Sequence, residues 1–169
     1  MSDTPKQEAE YMKAYDTYSD ALFRHAYFRV SNRDASLDLV QETFTKTWIQ
    51  ITKGEVISNF QAYLYHVLNN LIIDFYRKKK SLSLDALTED GFDPVGAGKS
   101  DVMEEALHNE LLTELDKLPE RDRDVVVMRY IDGLQVNRIA QLLEETENSI
   151  FVRLHRAIKK LRSNETNEK

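Results

Sequence analysis

The 169 residues include no cysteine. This excludes a disulfide framework, a cysteine-based zinc site and a thiol nucleophile, and it fits a reducing compartment. Long apolar runs are missing too. No stretch approaches the roughly 20 residues of a membrane-spanning helix, and the opening MSDTPKQEAE is polar and acidic, unlike a secretory leader. The expectation is a soluble, cytoplasmic protein. Three of the four histidines, His25, His66 and His108, are scattered, so no metal site is expected. No glycine-rich phosphate loop, nucleophile–base pair or paired-carboxylate signal is visible. Neither a cofactor nor a catalytic activity is expected. Apolar residues make up 41% of the chain, which suits two modest cores better than one large one.

The net charge of −6 argues against a general nucleic-acid binder, but the charge is uneven. Residues 1–80 carry 11 basic and 10 acidic side chains, and residues 106–169 carry 11 and 12. Residues 81–105 carry Lys99 against seven acids, together with three of the five glycines and one of the three prolines. Apolar periodicity is lost there, as expected of a flexible linker extended by its own charge repulsion.

The flanks read as helices. Ala9, Met12, Tyr15, Tyr18, Leu22, Phe23, Ala26, Tyr27 and Val30 recur at helical spacing over residues 7–30. A turn at 31–34 offers Ser31 or Asn32 as an N-cap. A second helix, about Asp34 to Ile51, has Leu37, Val40, Phe44, Thr47, Trp48 and Ile51 as its apolar stripe, with Asp38, Gln41, Glu42 and Thr45 on an adjacent face. A third, about Phe60 to Lys79, buries Leu64, Val67, Leu68, Leu71, Ile72 and Phe75 and ends in Arg77-Lys78-Lys79-Lys80, where cations suit a helix C-terminus. Helical spacing resumes from Val102, Pro119 is expected at the first position of a further helix, and Gly133 is suited to end it.

The last segment, Leu118 to Arg162, reads as three helices and two tight turns. From Ser149 to Arg162 the charged residues are Arg153, Arg156, Lys159, Lys160 and Arg162, with His155 among them and no acid. Ile150, Leu154, Ala157, Ile158 and Leu161 form the opposite, apolar stripe. Ile139, Ala140, Leu142 and Leu143 supply a bracing helix, with Ala140 small enough for a close crossing. A basic helix behind a short turn is how a helix-turn-helix faces a DNA major groove; a merely solvated basic face would share the composition.

These segments also resemble a known family. Leu118-Pro119-Glu120-Arg121, Met128-Arg129-Tyr130, Asp132-Gly133-Leu134, Ile139-Ala140 and the Arg153-to-Arg162 pattern are similar to region 4 of bacterial extracytoplasmic-function (ECF) sigma factors, group IV of the sigma-70 superfamily. Residues 16–80 resemble region 2, on Asp38-Leu39-Val40-Gln41-Glu42-Thr43-Phe44 with Trp48, and on Phe60, Ala62-Tyr63-Leu64-Tyr65, Asn70, Asp74 and the Arg77–Lys80 run. The resemblance implies an all-α chain of two small helical domains: residues 1–80 as region 2, 81–105 as acidic linker, and 106–169 as region 4, a helix-turn-helix, winged-helix-like but without a sheet. It implies a promoter-specific RNA polymerase sigma factor. Asp38, Gln41, Glu42 and Phe44 would dock on the β′ coiled coil of core polymerase, with the β flap as a further contact. Asn59, Phe60, Tyr63, Asn70, Asp74, Arg77 and Lys78 would bind −10 DNA, and the loop Thr52–Asn59 would capture a flipped base. Asn148, Ser149, Phe151, Arg153, His155, Arg156 and Lys159 would bind −35 DNA. An anti-sigma factor is implied as a further partner, and no terminal segment looks long enough to replace it in cis.

Three positions depart from the family pattern. Leu143-Glu144-Glu145-Thr146 stands where Leu-Gly, an apolar residue and Ser are usual, so the turn either lacks a left-handed residue or is strained. Phe151 replaces a Lys or Arg; it could touch a thymine methyl or be buried against a partner. Gln135 replaces a Ser or Thr cap. Two other functions therefore remain open, a sigma-like adapter whose region 4 mainly binds a regulator and a stand-alone helix-turn-helix regulator.

Overall fold

The structure, a computed structural model, describes the backbone of residues 3–85 and 102–167, with side chains described over 3–82 and 109–164. It forms two compact units, and no strand occurs among the described residues.

The first unit packs three helices, each against the other two: α1 (Thr4–Val30), α2 (Arg33–Thr52) and α3 (Phe60–Asp85). Both candidate residues act at the first turn. Ser31 is left-handed at φ 55°, and its N–H donates to the Tyr27 carbonyl at 2.9 Å, which closes α1. Asn32 then caps α2, its Oδ1 accepting from the Ala35 N–H at 2.9 Å. Leu22, Leu64, Leu68 and Ile72 are fully enclosed. Thr43 and Thr47 are buried as well, and their hydroxyls donate to the Leu39 and Thr43 carbonyls at 2.8 Å, so neither costs the unit an unmet polar group. Arg29 is fully buried; its Nη1 donates to Asn69 Oδ1 at 3.2 Å, and its carbonyl accepts the Tyr76 hydroxyl.

The expected stripes are corrected in detail. Ala9, Met12, Tyr15 and Leu37 are exposed, while Gln7, Ala14, His25 and Leu39 are buried. Tyr15 lays its ring on Phe44 from outside, with centroids 4.8 Å apart, so an aromatic at the right spacing covers the core without entering it. Trp48, expected in the core, is 37% exposed and lies tilted against Tyr11, with ring centroids 5.1 Å apart.

The second unit contains α4 (Val102–Asp116), α5 (Glu120–Val126), a wider π-helical turn (Val127–Ile131), α6 (Val136–Leu143) and α7 (Glu147–Asn167). Pro119 is the residue before α5 and not its first helical position: its extended ψ of 145° lets its carbonyl accept the Arg123 N–H at 2.9 Å. The π turn is closed by the Asp132 N–H reaching back five residues to the Val127 carbonyl at 2.9 Å, and Gly133, at φ 70°, turns the chain out of it. Leu115, Val125, Val127, Met128, Ile139, Ile150 and Ala157 fill the core, with α7 packed on α5 and α6. The linker expected over 81–105 is helical at both edges, because α3 runs on to Asp85 and α4 begins at Val102. Its interior, 86–101, lies outside the described residues, and the side chain of His108 does too.

Candidate protein and nucleic-acid interfaces

On α2, the 3.6-residue repeat puts Asp38 and Glu42 one turn apart with Gln41 beside them, and all three are exposed. Glu42 makes a loose surface pair with Lys46 at 3.8 Å, a contact of small energetic weight. Leu37, Ile49 and Trp48 are 41%, 43% and 37% exposed on the same helix, so the acidic face is bordered by apolar side chains. Phe44 does not belong to it. At 3% exposure it is a core residue, held edge-on by Tyr11 at 6.0 Å and tilted against Tyr15. Its role is to hold α2 from inside.

The α2–α3 loop is built from several local closures. Gly54 takes φ 93°, and its N–H donates to the Ile51 carbonyl at 3.0 Å. Ile57 is buried, while Val56 is 63% exposed beside it. Asn59 serves α3 directly, its Oδ1 accepting the Ala62 N–H at 3.0 Å, so the side chain expected on DNA is engaged as a helix cap. Phe60 and Tyr63 are half-buried at the start of α3. Burial raises the Tyr63 phenol above its ordinary pKa, and the nearby Glu55 carboxylate adds to this, so it stays a neutral donor at physiological pH. Tyr63, His66, Asn70, Asp74 and Arg77 follow at three- and four-residue steps, one stripe of the helix. Asn70 Nδ2 lies 3.3 Å from His66 Nε2, and Asp74 lies 3.9 Å from Arg77. Arg77, Lys78, Lys79 and Lys80 are all exposed.

On α7 the expected DNA residues separate into two groups. Asn148, Phe151, Val152, His155 and Lys159 share the outward face and are exposed, Phe151 and Val152 by 56% and 54%. A shallow depression of about 440 Å³ is lined by Phe151, Val152, His155, Arg156 and Lys159. Ser149 and Arg153 are instead drawn toward the unit, while Arg156 stays exposed and reaches inward only with its guanidinium. Ser149 Oγ donates to Glu145 Oε2 at 2.9 Å, and Arg153 Nη2 meets Glu145 Oε1 at 2.8 Å. Arg156 binds the buried Asp122 carboxylate through two nitrogens, at 2.8 and 3.1 Å, and that bond raises its pKa further above the usual arginine value. Ser149 and Arg153 are engaged within the unit rather than turned outward as expected, while Arg156 ties the helix to Asp122 and still lines the outward depression.

The turn between α6 and α7 is the strained alternative. Glu144 is left-handed at φ 55° and ψ 43°, and the Glu145 N–H reaches back to the Ala140 carbonyl at 2.9 Å. Thr146 caps α7, its Oγ1 accepting the Ser149 N–H at 3.1 Å. Gln135 begins α6 without a side-chain cap. Sequence reasoning missed Gln7, Asp122 and the pairing of Glu145. Gln7 and Asp122 sit at apolar-register positions of their helices, a polar residue where burial is due, and that is the signal that could have found them.

Among the described residues no group of three His, Cys, Asp or Glu side chains could hold a metal, and no helix is long and apolar enough to cross a membrane. The arrangement is a pair of helical units, one presenting an acidic helix face and a basic helix end, the other a helix-turn-helix. Comparison with known proteins places it more narrowly. Residues 14–82 match the Sigma-70 region 2 family and residues 108–161 match Sigma-70, region 4. The ECF RNA polymerase sigma factor SigW of Bacillus subtilis is 30% identical over 161 residues, covering 87% of this chain and 84% of that one. RNA polymerase sigma factor SigV of the same organism is 29% identical over 147 residues, covering 87% and 86%. The fold is shared with the sigma factor RpoE in complex with the anti-sigma factor NepR from Bartonella quintana, at TM-score 0.71, 23% identity and coverage of 91% and 95%. It is also shared with CnrH in complex with the cytosolic domain of CnrY, at 0.70, 21%, 96% and 91%. The chain belongs to the sigma-70 family, among the ECF RNA polymerase sigma factors, and directs promoter-specific transcription initiation.

Proposed function

We propose that the two units divide initiation between them, residues 1–80 binding core polymerase and the −10 element, residues 106–169 the −35 element, with 81–105 as connector. Asp38, Gln41 and Glu42 dock on a basic surface of the polymerase, and Leu37, Trp48 and Ile49 add apolar area at its edge. The loop Thr52–Asn59 captures an extruded base, which offsets unstacking costs of a few kcal/mol per base. Tyr63, Asn70 and Asp74 read the opened strand, while Lys78 and its neighbours hold phosphates. On α7, Asn148, Phe151 and His155 face base edges and Lys159 faces the backbone. The protein acts by binding and not by catalysis, in the cytoplasm, where polymerase works.

The observation that supports this most is the segregation on α2. Its acidic and amide side chains are exposed together while Phe44 beneath them is locked in the core, so the helix offers a rigid docking face. One of the two related structures is a complex with an anti-sigma factor; by analogy, a separate anti-sigma protein covers these faces until released. The test is reconstitution of this chain with core polymerase on promoter DNA selected from a random library. A specific transcript that depends on the chain supports the reading. Core binding without any promoter-dependent transcript would favour the adapter function.

A further inference from the structure

The loop proposed to capture the −10 base is fastened from outside the family-matched segment. Gln7, in the second turn of α1, is 5% exposed and spans both polar groups of one loop residue fifty positions away. Its Oε1 accepts the Ile57 N–H at 3.0 Å, and its Nε2 donates to the Ile57 carbonyl at 3.5 Å. One carboxamide thus does for the loop what a neighbouring strand does for an extended residue. It meets the two backbone groups that burial of Ile57 would otherwise leave without partners. The Ile57 side chain is itself 5% exposed, so the loop cannot lift here without breaking both bonds and opening the core.

The clamp has a directional effect. With Ile57 turned in, the residues on either side are turned out, and Val56 stands 63% exposed with Glu55 and Ser58 exposed near it. The next closure is the Asn59 cap on α3, and the preceding one is the Gly54 turn. The loop is therefore fixed at both ends and at its middle, and only the middle fastening comes from another helix. A loop held before its ligand arrives avoids the ordering cost a free loop would meet on binding. Gln7 lies before residue 14, where the region 2 match begins.

We infer that Gln7 is a positioning residue for promoter opening: it holds the Thr52–Asn59 loop in the conformation that receives the extruded base, without touching DNA. This rests on the −10 reading given above. The test uses holoenzyme assembled with the full chain and a promoter duplex selected by the wild-type holoenzyme from a random library. A 2-aminopurine in the −10 element reports base unstacking. Gln7→Met keeps the volume and removes both bonds, whereas Gln7→Glu keeps the acceptor for the Ile57 N–H and sets a carboxylate against the Ile57 carbonyl. Opening should slow about tenfold in Gln7→Met, the scale of two lost hydrogen bonds, with core affinity unchanged. On a template already opened across the −10 element most of that deficit should disappear. Gln7→Glu should fall in the same direction, and it decides the matter if Gln7→Met does not fold. Wild-type opening rates in folded variants would overturn the inference, as would an equal deficit on duplex and pre-opened templates, which would mark a merely structural role. A wild-type holoenzyme that opens no duplex would overturn the −10 reading itself, and this inference with it.

Discussion

Arg156 reaches from α7 to Asp122 on α5 and binds both oxygens of a carboxylate that is 2% exposed, while its own side chain stays 61% exposed. A buried acid is tied to a cation at the surface, on the helix proposed to meet DNA. Removing the cation alone strands the acid, which costs more than removing both. Arg156→Gln should therefore lower the thermal midpoint of the second unit by more than the double variant Asp122→Asn/Arg156→Gln does. A double-mutant cycle followed by circular dichroism measures this. A double variant that melts below Arg156→Gln would show that Asp122 stabilises the unit by some other contact.

The left-handed turn at Glu144 gives a second expectation. A non-glycine residue in this conformation costs roughly 1–2 kcal/mol, and glycine escapes most of that at some loss of chain entropy. Glu144→Gly should stabilise the second unit by about 0.5–1 kcal/mol, read as a higher urea midpoint at unchanged slope. A lower midpoint would mean that the Glu144 side chain makes up for its backbone.

Phe151 and Val152 stand exposed on the outward face of α7. Apolar contact with thymine methyls is the readout such side chains can provide. Replacing thymine by uracil in the −35 element should weaken holoenzyme binding about fourfold per contacted methyl, the scale of one buried methyl group, and Phe151→Ala should erase the difference. Discrimination that persists in Phe151→Ala would show that another side chain reads the methyl and would remove Phe151 from base readout.

The basic end of α3 is separable by salt. Lys78→Ala should lower the slope of log affinity against log salt by about 0.9, one phosphate's worth of released counterion. Arg77, which lies 3.9 Å from Asp74, should contribute less. Fluorescence anisotropy on promoter duplex across a potassium chloride series gives both slopes, and identical slopes for Lys78→Ala and wild type would remove Lys78 from the DNA path.

Much of the fold was legible because the apolar stripes of α3 and α6 follow helical spacing closely: Leu64, Leu68, Leu71 and Ile72, and then Ile139 and Leu142, are buried as expected. Spacing was less informative on α1 and α2, where apolar and aromatic residues outnumber the places facing a neighbour. Periodicity cannot say which of Tyr15, Phe44 and Trp48 lies inside and which covers the others. The candidate interface on α7 was legible as a basic helix but not in its division of labour. Arg153 and Arg156 carry the charge that drew attention to the helix, yet their partners, Glu145 and Asp122, are separated from them by a turn and by two helices. Long-range ion pairs and clamps such as Gln7 with Ile57 leave no periodic trace, only a polar residue in an apolar register.

The most direct test of the account is titration of core polymerase with the wild-type chain and with Asp38→Arg. The variant should keep the helical circular dichroism and thermal midpoint of the wild type, since Asp38 is exposed, and should lose core binding by tenfold or more, the scale of a charge reversed against a basic partner. A folded Asp38→Arg protein that binds core polymerase as tightly as the wild type would contradict the assignment of α2 as the docking helix.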